Sequence, residues 1–452
     1  MTASWKQFGI FVFVLLLSVM LAACGGDAAD PSPSASADTH GGKSPSNQGS
    51  ESPVVQPRTE PVELAYYNSN NYPEERIMSE WGSKVLEKFP HVSLKFVYGN
   101  LTELITTGET IDLIEISIGQ QNSHLVNFDL QYDLSELIKM YNYDTSLLEP
   151  TTLEIQRQSS DGGIYGLPIT TWATVLFYNK EIFDKFGHAY PEENMTWDEL
   201  YDMARALTRV DEDIQYYGFN LSANHMFRTN QLSLPYVQPG TTKPAIAAPE
   251  FVRMIENFNR FYQIPGYESN PNLFSSNTSS LKKQFYENTA TFAFLSGWRD
   301  PEMRDVDWDV APLPVFKEAP DVGSQAYPIY LYLTSISEHK EQAFEVIAYV
   351  TSEEVQMHRS KIGISTILQN REIAEAFGSD PSLSGFYEGK NVLALHPFKF
   401  ASPSIKTELD DIVNAQLRAV LPEVAKGEKD INTALREAEE AAQIAINEYL
   451  EQ

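Results

Sequence analysis

Chemistry in this sequence has to come from a small set of aromatic and planar polar side chains at the ends of apolar runs. Ser296-Gly297-Trp298-Arg299 follows the apolar run 290–295, and Trp172 comes shortly after Pro168. Tyr67 and Asn68 close the run that starts at Val62, Ser117 and Gln120 follow the run 111–116, and Asn224 lies beyond the run 217–220. An indole or phenol face covers the apolar C–H face of a polyhydroxylated ring, while amide, hydroxyl and guanidinium groups bond its rim. Arg299 adds a fork of donors suited to hydroxyls or to a carboxylate. This is the chemistry of binding. Core packing competes for Trp298, packing beside a crossover for Trp172, and a structural salt bridge for Arg299.

Covalent chemistry has weaker support. The sequence holds no His-Glu-x-x-His, no Gly-x-Ser-x-Gly, no phosphate-binding Walker loop and no Gly-x-Gly-x-x-Gly. Its 8 His residues are scattered, none with a second His or Cys at metal-ligand spacing. The adjacent carboxylates Glu74-Glu75 and Asp410-Asp411 read as solvated faces, although a glycosidase pair assembled only by folding would leave no short motif.

Composition sets the class. With 42% hydrophobic residues, 24 Phe, 23 Tyr and 6 Trp in 452 positions, the chain can bury a core of two or more domains. Acidic residues number 62 against 33 basic, a net charge of −29. Such a field repels phosphate backbones, so no nucleic acid partner is expected, and it argues weakly against an anionic ligand unless a local Arg overrides it.

The first residues stand apart. Lys6 precedes an apolar run, 10–21, too short for a comfortable membrane span and followed by Ala22-Ala23-Cys24, so 1–23 reads as an export signal. Cys24 is the chain's only cysteine, and its setting resembles the lipobox of bacterial lipoproteins, which implies lipidation there. No disulfide is then available after export. Residues 24–60, rich in Ser, Pro, Gly and Asp, cannot bury enough surface to order themselves and read as a tether reaching on the order of 100 Å. That reach suits the extracellular face of a Gram-positive cell membrane.

The elements that must position the binding residues alternate between two periods. Residues 62–67 and 92–96 alternate like strands, and Pro73 opens a helix carrying Ile77, Trp81, Val85 and Phe89. A further strand covers 111–116 and a helix 134–140. Asp161-Gly162-Gly163 is a turn signal, 164–168 is extended because the residue before a proline avoids the helical region, and 174–178 is a buried strand feeding a helix with Ile182, Phe183 and Phe186. Thr196-x-x-Glu199 and Thr351-x-x-Glu354 are capping boxes. Helices are also expected at 251–262, 281–286, after Ser337 and from Asp430, with strands at 217–220, 290–295 and 327–336. Residues 310–314 should return the chain to its first lobe. Trp81, Trp197 and Trp308 fall on predicted faces of the core.

Several segments, in order, carry a resemblance. DGGIYGLP followed by LFYNKEIFDKFG, then TWDEL, FAFLSGW, WDVAPLP and HKEQAFEVIAYVTSEEVQ together resemble the pattern of bacterial extracellular solute-binding proteins of family 1, the maltose-binding-protein-like lipoproteins of sugar ABC transporters. The resemblance covers about 62–450, with Ile111 where the family has proline. It implies an α/β, two-lobed periplasmic-binding-protein-like fold of type II, with an interlobe cleft and a hinge. One lobe would hold 61–167 with 313–363, and the other 168–312 with 364–452. It further implies a monomeric receptor without cofactor, metal or catalytic group, delivering a sugar to the transmembrane subunits of an ABC permease. Trp298 matches the family's tryptophan that stacks on sugar, Tyr67, Asn68, Ser117 and Gln120 fall in its ligand-contacting loops, and Phe398 lies where a late aromatic enters the cleft. Trp172, after the crossover proline, Asn224, in the loop after its strand, and Arg299, beside Trp298, are candidates by position and chemistry alone. A sensor module for a membrane histidine kinase, a receptor for peptides or other solutes, and a surface carbohydrate-active enzyme are the alternatives left open.

Overall fold

A computed structural model describes residues 59–160, 162–396 and 399–451. The export signal, Cys24 and the tether as far as residue 58 lie outside the described residues, as do Asp161 and Phe398.

The described residues form ten strands: β1 (Val62–Asn68), β2 (Val92–Val97), β3 (Leu113–Ser117), β4 (Gly166–Trp172), β5 (Thr174–Asn179), β6 (Arg209–Asp211), β7 (Ile214–Leu221), β8 (Thr289–Leu295), β9 (Trp308–Ala311) and β10 (Tyr327–Leu333). They assemble into two mixed sheets ordered β2-β1-β3-β10-β4 and β6-β7-β8-β5-β9. β1 runs parallel to β2 and β3, whereas β10 is antiparallel to β3 and β4. In the second sheet β7 and β8 are parallel and β5 is antiparallel to both its neighbours. β3, β5 and β8 are buried along their whole length, as expected of strands covered by helices on both faces.

Each sheet has its own core. Leu64, Trp81, Leu113, Leu331, Phe344 and Ile347 belong to the first, and Trp197, Phe219, Phe258, Leu417 and Leu435 to the second. Local chemistry starts the helices where the sequence marks them. Thr196 and Glu199 form a reciprocal capping box for Trp197–Leu207, and Asn179 caps Lys180–Phe186 by accepting from the Ile182 amide. The helix Glu353–Lys361 is capped instead by Ser352, one residue after the expected Thr351, whose hydroxyl is engaged with Tyr143 and the Ala348 carbonyl. The helix opened by Pro73 contains a π turn, Met78–Gly82, between Glu74–Ile77 and Ser83–Lys88, and this turn places Glu80 and Trp81 inside.

The crossings between lobes differ from those the sequence suggested. β4 pairs with β10 as far as Trp172, so residues 168–172 belong to the first sheet and the chain crosses at Ala173, not at Pro168. The return does not occur at 310–314: Trp308–Ala311 pairs with β5, and Leu313 and Phe316 enter the second core. The last crossing falls after Ile373, which packs in the first core, and before Phe377, which packs with the aromatics of the second lobe. Gly363, read as that boundary, ends the helix Glu353–Lys361 with a positive φ of 79°. β10 stops at Leu333 rather than at Ile336, which is exposed.

One close approach holds the second lobe's sheet to its helix. A Cβ on Gly218 would lie 2.1 Å from the Ala204 carbonyl oxygen and 2.3 Å from its Cα, both backbone atoms that cannot yield. Gly218→Ala is therefore expected to lower the unfolding free energy by about 3 kcal/mol, the upper end for overpacking. Urea denaturation followed by tryptophan fluorescence measures it. A loss below about 1 kcal/mol would show that the helix slides freely on the strand.

Candidate functional site

Strand ends of both sheets converge on a cleft of about 610 Å³, inside the range of roughly 300–1,000 Å³ usual for small-ligand sites. The first lobe contributes Asn68 at the end of β1, Ser117 and Gln120 after β3, and Trp172 at the end of β4. The second contributes Asn224 and Arg228 from the helix Ala223–Arg228, and Gly297, Trp298 and Arg299 after β8. This gathering follows the rule that open α/β sheets present ligand loops at the carboxyl ends of their strands.

Two tryptophans flank the cleft in different ways. The Trp172 ring is half-buried and lies nearly parallel to Tyr327, centroids 6.3 Å apart and planes 8° from coplanar. Gly297 makes that position accessible, since a Cβ there would meet Trp172 Cε2 at 2.1 Å. Trp298 is only 4% exposed. Phe177, Phe285, Phe292 and Phe294 meet it edge-on, with centroids 4.9 to 5.7 Å away. Trp298 thus belongs to the core and shows the cleft little more than an edge. Trp172 is the more exposed of the two indoles in the cleft lining.

The remaining expected residues divide similarly. Tyr67 is a correction: β1 is buried on both faces, and the Tyr67 ring packs beneath the sheet with Ile114, Ile116, Leu125 and Tyr330. Asn68 lines the cleft, but its amide is engaged, donating to the Glu115 carbonyl at 3.1 Å and accepting from the Asn70 amide at 2.8 Å. The Ser117 hydroxyl donates to Gln120 Oε1 at 3.2 Å, and Gln120 Nε2 donates to the Ser69 hydroxyl at 2.7 Å. Asn224 sits in the first turn of a helix rather than in a loop, its oxygen accepting from Asn414 at 2.9 Å. Arg299 donates to the Ile362 carbonyl across the lobes, and among the described residues it forms no salt bridge.

Sequence reasoning missed the charged lining. Arg76 Nε lies 2.7 Å from Glu80, and Arg359, 1% exposed at its side chain, reaches Glu80 only at 3.8 Å. Glu115 accepts from Tyr66 and Trp81, and burial together with the Glu80 charge pushes its carboxyl up. A carboxylate inside the apolar run IDLIEIS was the available signal for Glu115. Arg228 pairs with Asp411 at 2.7 Å, and Lys282 with Asp300 at 2.9 Å. Asp410-Asp411 is therefore not a solvated face: Asp410 is 5% exposed and Asp411 holds a cleft arginine. Burial, with Arg228 and Lys282 alongside, brings the His225 imidazole down to about 3, so that it lines the cleft as a neutral ring. Among the described residues no group of three or more His, Cys, Asp or Glu side chains is arranged to hold a metal ion.

Similarity to known proteins agrees with this geometry. An arabinooligosaccharide-binding protein of Bacillus subtilis is 24% identical over 158 residues, 33% of this chain. The match spans only about a third, 35%, of that relative's length. A sugar transporter from Rhizobium etli in an open conformation superposes with a TM-score of 0.66 at 19% identity, covering 84% of this chain and 99% of its own. The ABC substrate-binding protein of Listeria monocytogenes in complex with cycloalternan gives 0.63 at 17%, covering 86% of this chain and 100% of its own. At these identities the structures establish the two-lobed fold. The profile of the family described as bacterial extracellular solute-binding protein matches residues 72–357, more than half of the sequence, and the chain belongs to that family.

Proposed function

We propose that this protein is the sugar- or oligosaccharide-binding receptor of an ABC importer, clamping its ligand between the lobes and presenting the closed form to the permease. The observation that carries the reading is the half-buried Trp172 platform, stacked on Tyr327 and facing polar groups from both lobes across one cleft. Such a surface covers the C–H face of a sugar ring while the lobes bond its rim. The saccharides named for the Bacillus and Listeria relatives support the same class. Lipidation at Cys24 would hold the receptor at the extracellular face of the cell membrane, with 25–60 as its tether. No helix among the described residues is long and apolar enough to cross a membrane.

The proposed mechanism breaks no bond. A ligand that touches both walls binds the closed arrangement better than the open one, and shifts the population by that difference. Arg299, which joins the lobes by donating to the Ile362 carbonyl, and Ala173, the single residue between β4 and β5, lie where closure must be accommodated.

Two measurements test this. A thermal-shift screen of the purified full-length chain against neutral saccharides, uronates, polyols and short peptides should raise the melting temperature with one saccharide class, since a ligand for the folded state stabilises it by mass action. A shift with peptides alone would overturn the sugar assignment, and disappearance of an added oligosaccharide would overturn the receptor reading. The two tryptophans should also separate. Trp172→Ala is expected to weaken saccharide binding about tenfold or more with little change in melting temperature, whereas Trp298→Ala should cost about 3–5 kcal/mol of stability. Calorimetric titration and urea denaturation of both variants check this, and an unstable Trp172→Ala protein with unchanged affinity would return Trp172 to the core.

A further inference from the structure

The cleft reverses the charge balance of the chain. Overall, 62 acidic residues stand against 33 basic, yet the lining carries Arg76, Arg228, Lys282, Arg299 and Arg359 against Glu80, Glu115 and Asp300. Asp411, just outside, pairs with Arg228, which leaves an excess of one positive charge.

Its hydrogen-bonding capacity is equally one-sided. Every lining carboxylate already accepts from the protein: Glu80 from Arg76 at 2.7 Å, Glu115 from Tyr66 at 2.9 Å, and Asp300 from Lys282 at 2.9 Å. The donors are not matched. Nε and Nη1 of Arg359 and Nε of Arg228 are buried without a hydrogen-bond partner. Arg359 sits in the last turn of the helix Glu353–Lys361, and Arg299 reaches from the other lobe to the Ile362 carbonyl that follows it. Among the described residues Arg299 has no carboxylate within ion-pair distance. Both arginines line the cleft, one from each lobe, and Arg299 is anchored on the backbone three residues beyond Arg359.

A neutral hydroxyl is donor and acceptor at once and is best met by a mixed lining, whereas an anionic oxygen only accepts. Buried N–H groups without partners are costly and are satisfied most fully by such an oxygen. A planar guanidinium fork matches the two oxygens of a carboxylate. The single excess charge matches a monoanion better than a doubly charged phosphate ester. Building on the sugar-receptor reading, we infer that the ligand is an acidic saccharide of the uronate type, with its carboxylate held at the Arg359–Arg299 end of the cleft. The same two arginines, contributed by opposite lobes, then make the carboxylate a bridge that favours closure.

The test uses calorimetric titration of the full-length chain with matched pairs of oligosaccharides, uronate forms against the same oligomers reduced at the carboxyl, in the galacturonic and glucuronic series. In at least one series the acid form should bind about tenfold tighter or more, the effect of one charged hydrogen-bonding contact. Raising the ionic strength should narrow the preference. Arg299→Gln should lower affinity for the acid form about tenfold more than affinity for the reduced form, so that most of the preference is lost whatever the change does to closure. Equal or tighter binding of the reduced forms in both series overturns the inference and leaves the sugar reading standing. Binding confined to sulfated or phosphorylated sugars overturns the carboxylate assignment. Binding of no saccharide at all removes the sugar reading and this inference with it.

Discussion

Two sheets joined through one residue impose the constraint from which the rest of this architecture follows. Ala173 separates β4, the edge of one sheet, from β5, an inner strand of the other, and its backbone is buried where neither sheet continues. Buried amides and carbonyls must find partners. Ser296 supplies both, accepting from the Ala173 amide at 3.2 Å with its hydroxyl and donating its own amide to the Ala173 carbonyl at 2.8 Å. The next amide, Thr174, donates to the Ser324 hydroxyl at 2.8 Å, and the Ser324 carbonyl accepts from Ala401 at 3.0 Å. The crossing at Ala173 is thereby tied, through small hydroxyl side chains, to Ser324 in the segment between β9 and β10. The crossing at Ala173 follows directly on Trp172, which lines the cleft between the lobes.

That geometry bears on the electrostatics. An acidic surface and a basic cleft coexist because distant charges are screened over about 8 Å at physiological ionic strength, whereas groups packed together inside are not. The π turn Met78–Gly82 matters here: it turns Glu80 inward beside Arg76 and Arg359, so a buried carboxylate holds two guanidinium groups at one end of the cleft. Glu115 lies close enough to Glu80 for the two charges to oppose each other, and Arg359 offsets part of that repulsion. Removing any one of these groups would leave its neighbours charged and unmatched inside the protein, which is why such clusters are held or lost as a unit.

Most elements of the fold were legible because period and punctuation agree. TVLFY was readable as a buried strand and TWDEL as a capped helix without tertiary information, since branching, apolarity and a reciprocal cap act within a few residues. The places that misled are those where distant packing decides. Pro168 marks an extended backbone but says nothing of which sheet takes it, and its pairing with Tyr330 of β10 is a contact across 162 residues of sequence. The helix Asp410–Ala425 was missed, and its first two acids were read as solvated, because nothing local reveals that Asp411 meets Arg228. Arg359 is the extreme case. Its neighbours in sequence, VQMHRSK, suggest an exposed helix face, and only the fold shows that the guanidinium is inside.

The segment Ser296-Gly297-Trp298 lies at the cleft, and its side chains are taken up by contacts inside the protein. Its position after β8 does bring it to the cleft, yet each residue acts on something other than open space. Ser296 ties the crossing, Trp298 closes an aromatic core, and Gly297 is the gap into which the Trp172 ring fits. A side chain at 297 would displace Trp172, and with it the stack on Tyr327, which in turn donates to Ser117 at 3.2 Å. The half-buried Trp172 ring is therefore positioned by residues of both lobes that meet at the crossing. Gly297 of one lobe and Trp172 of the other thus meet directly beside the crossing at Ala173.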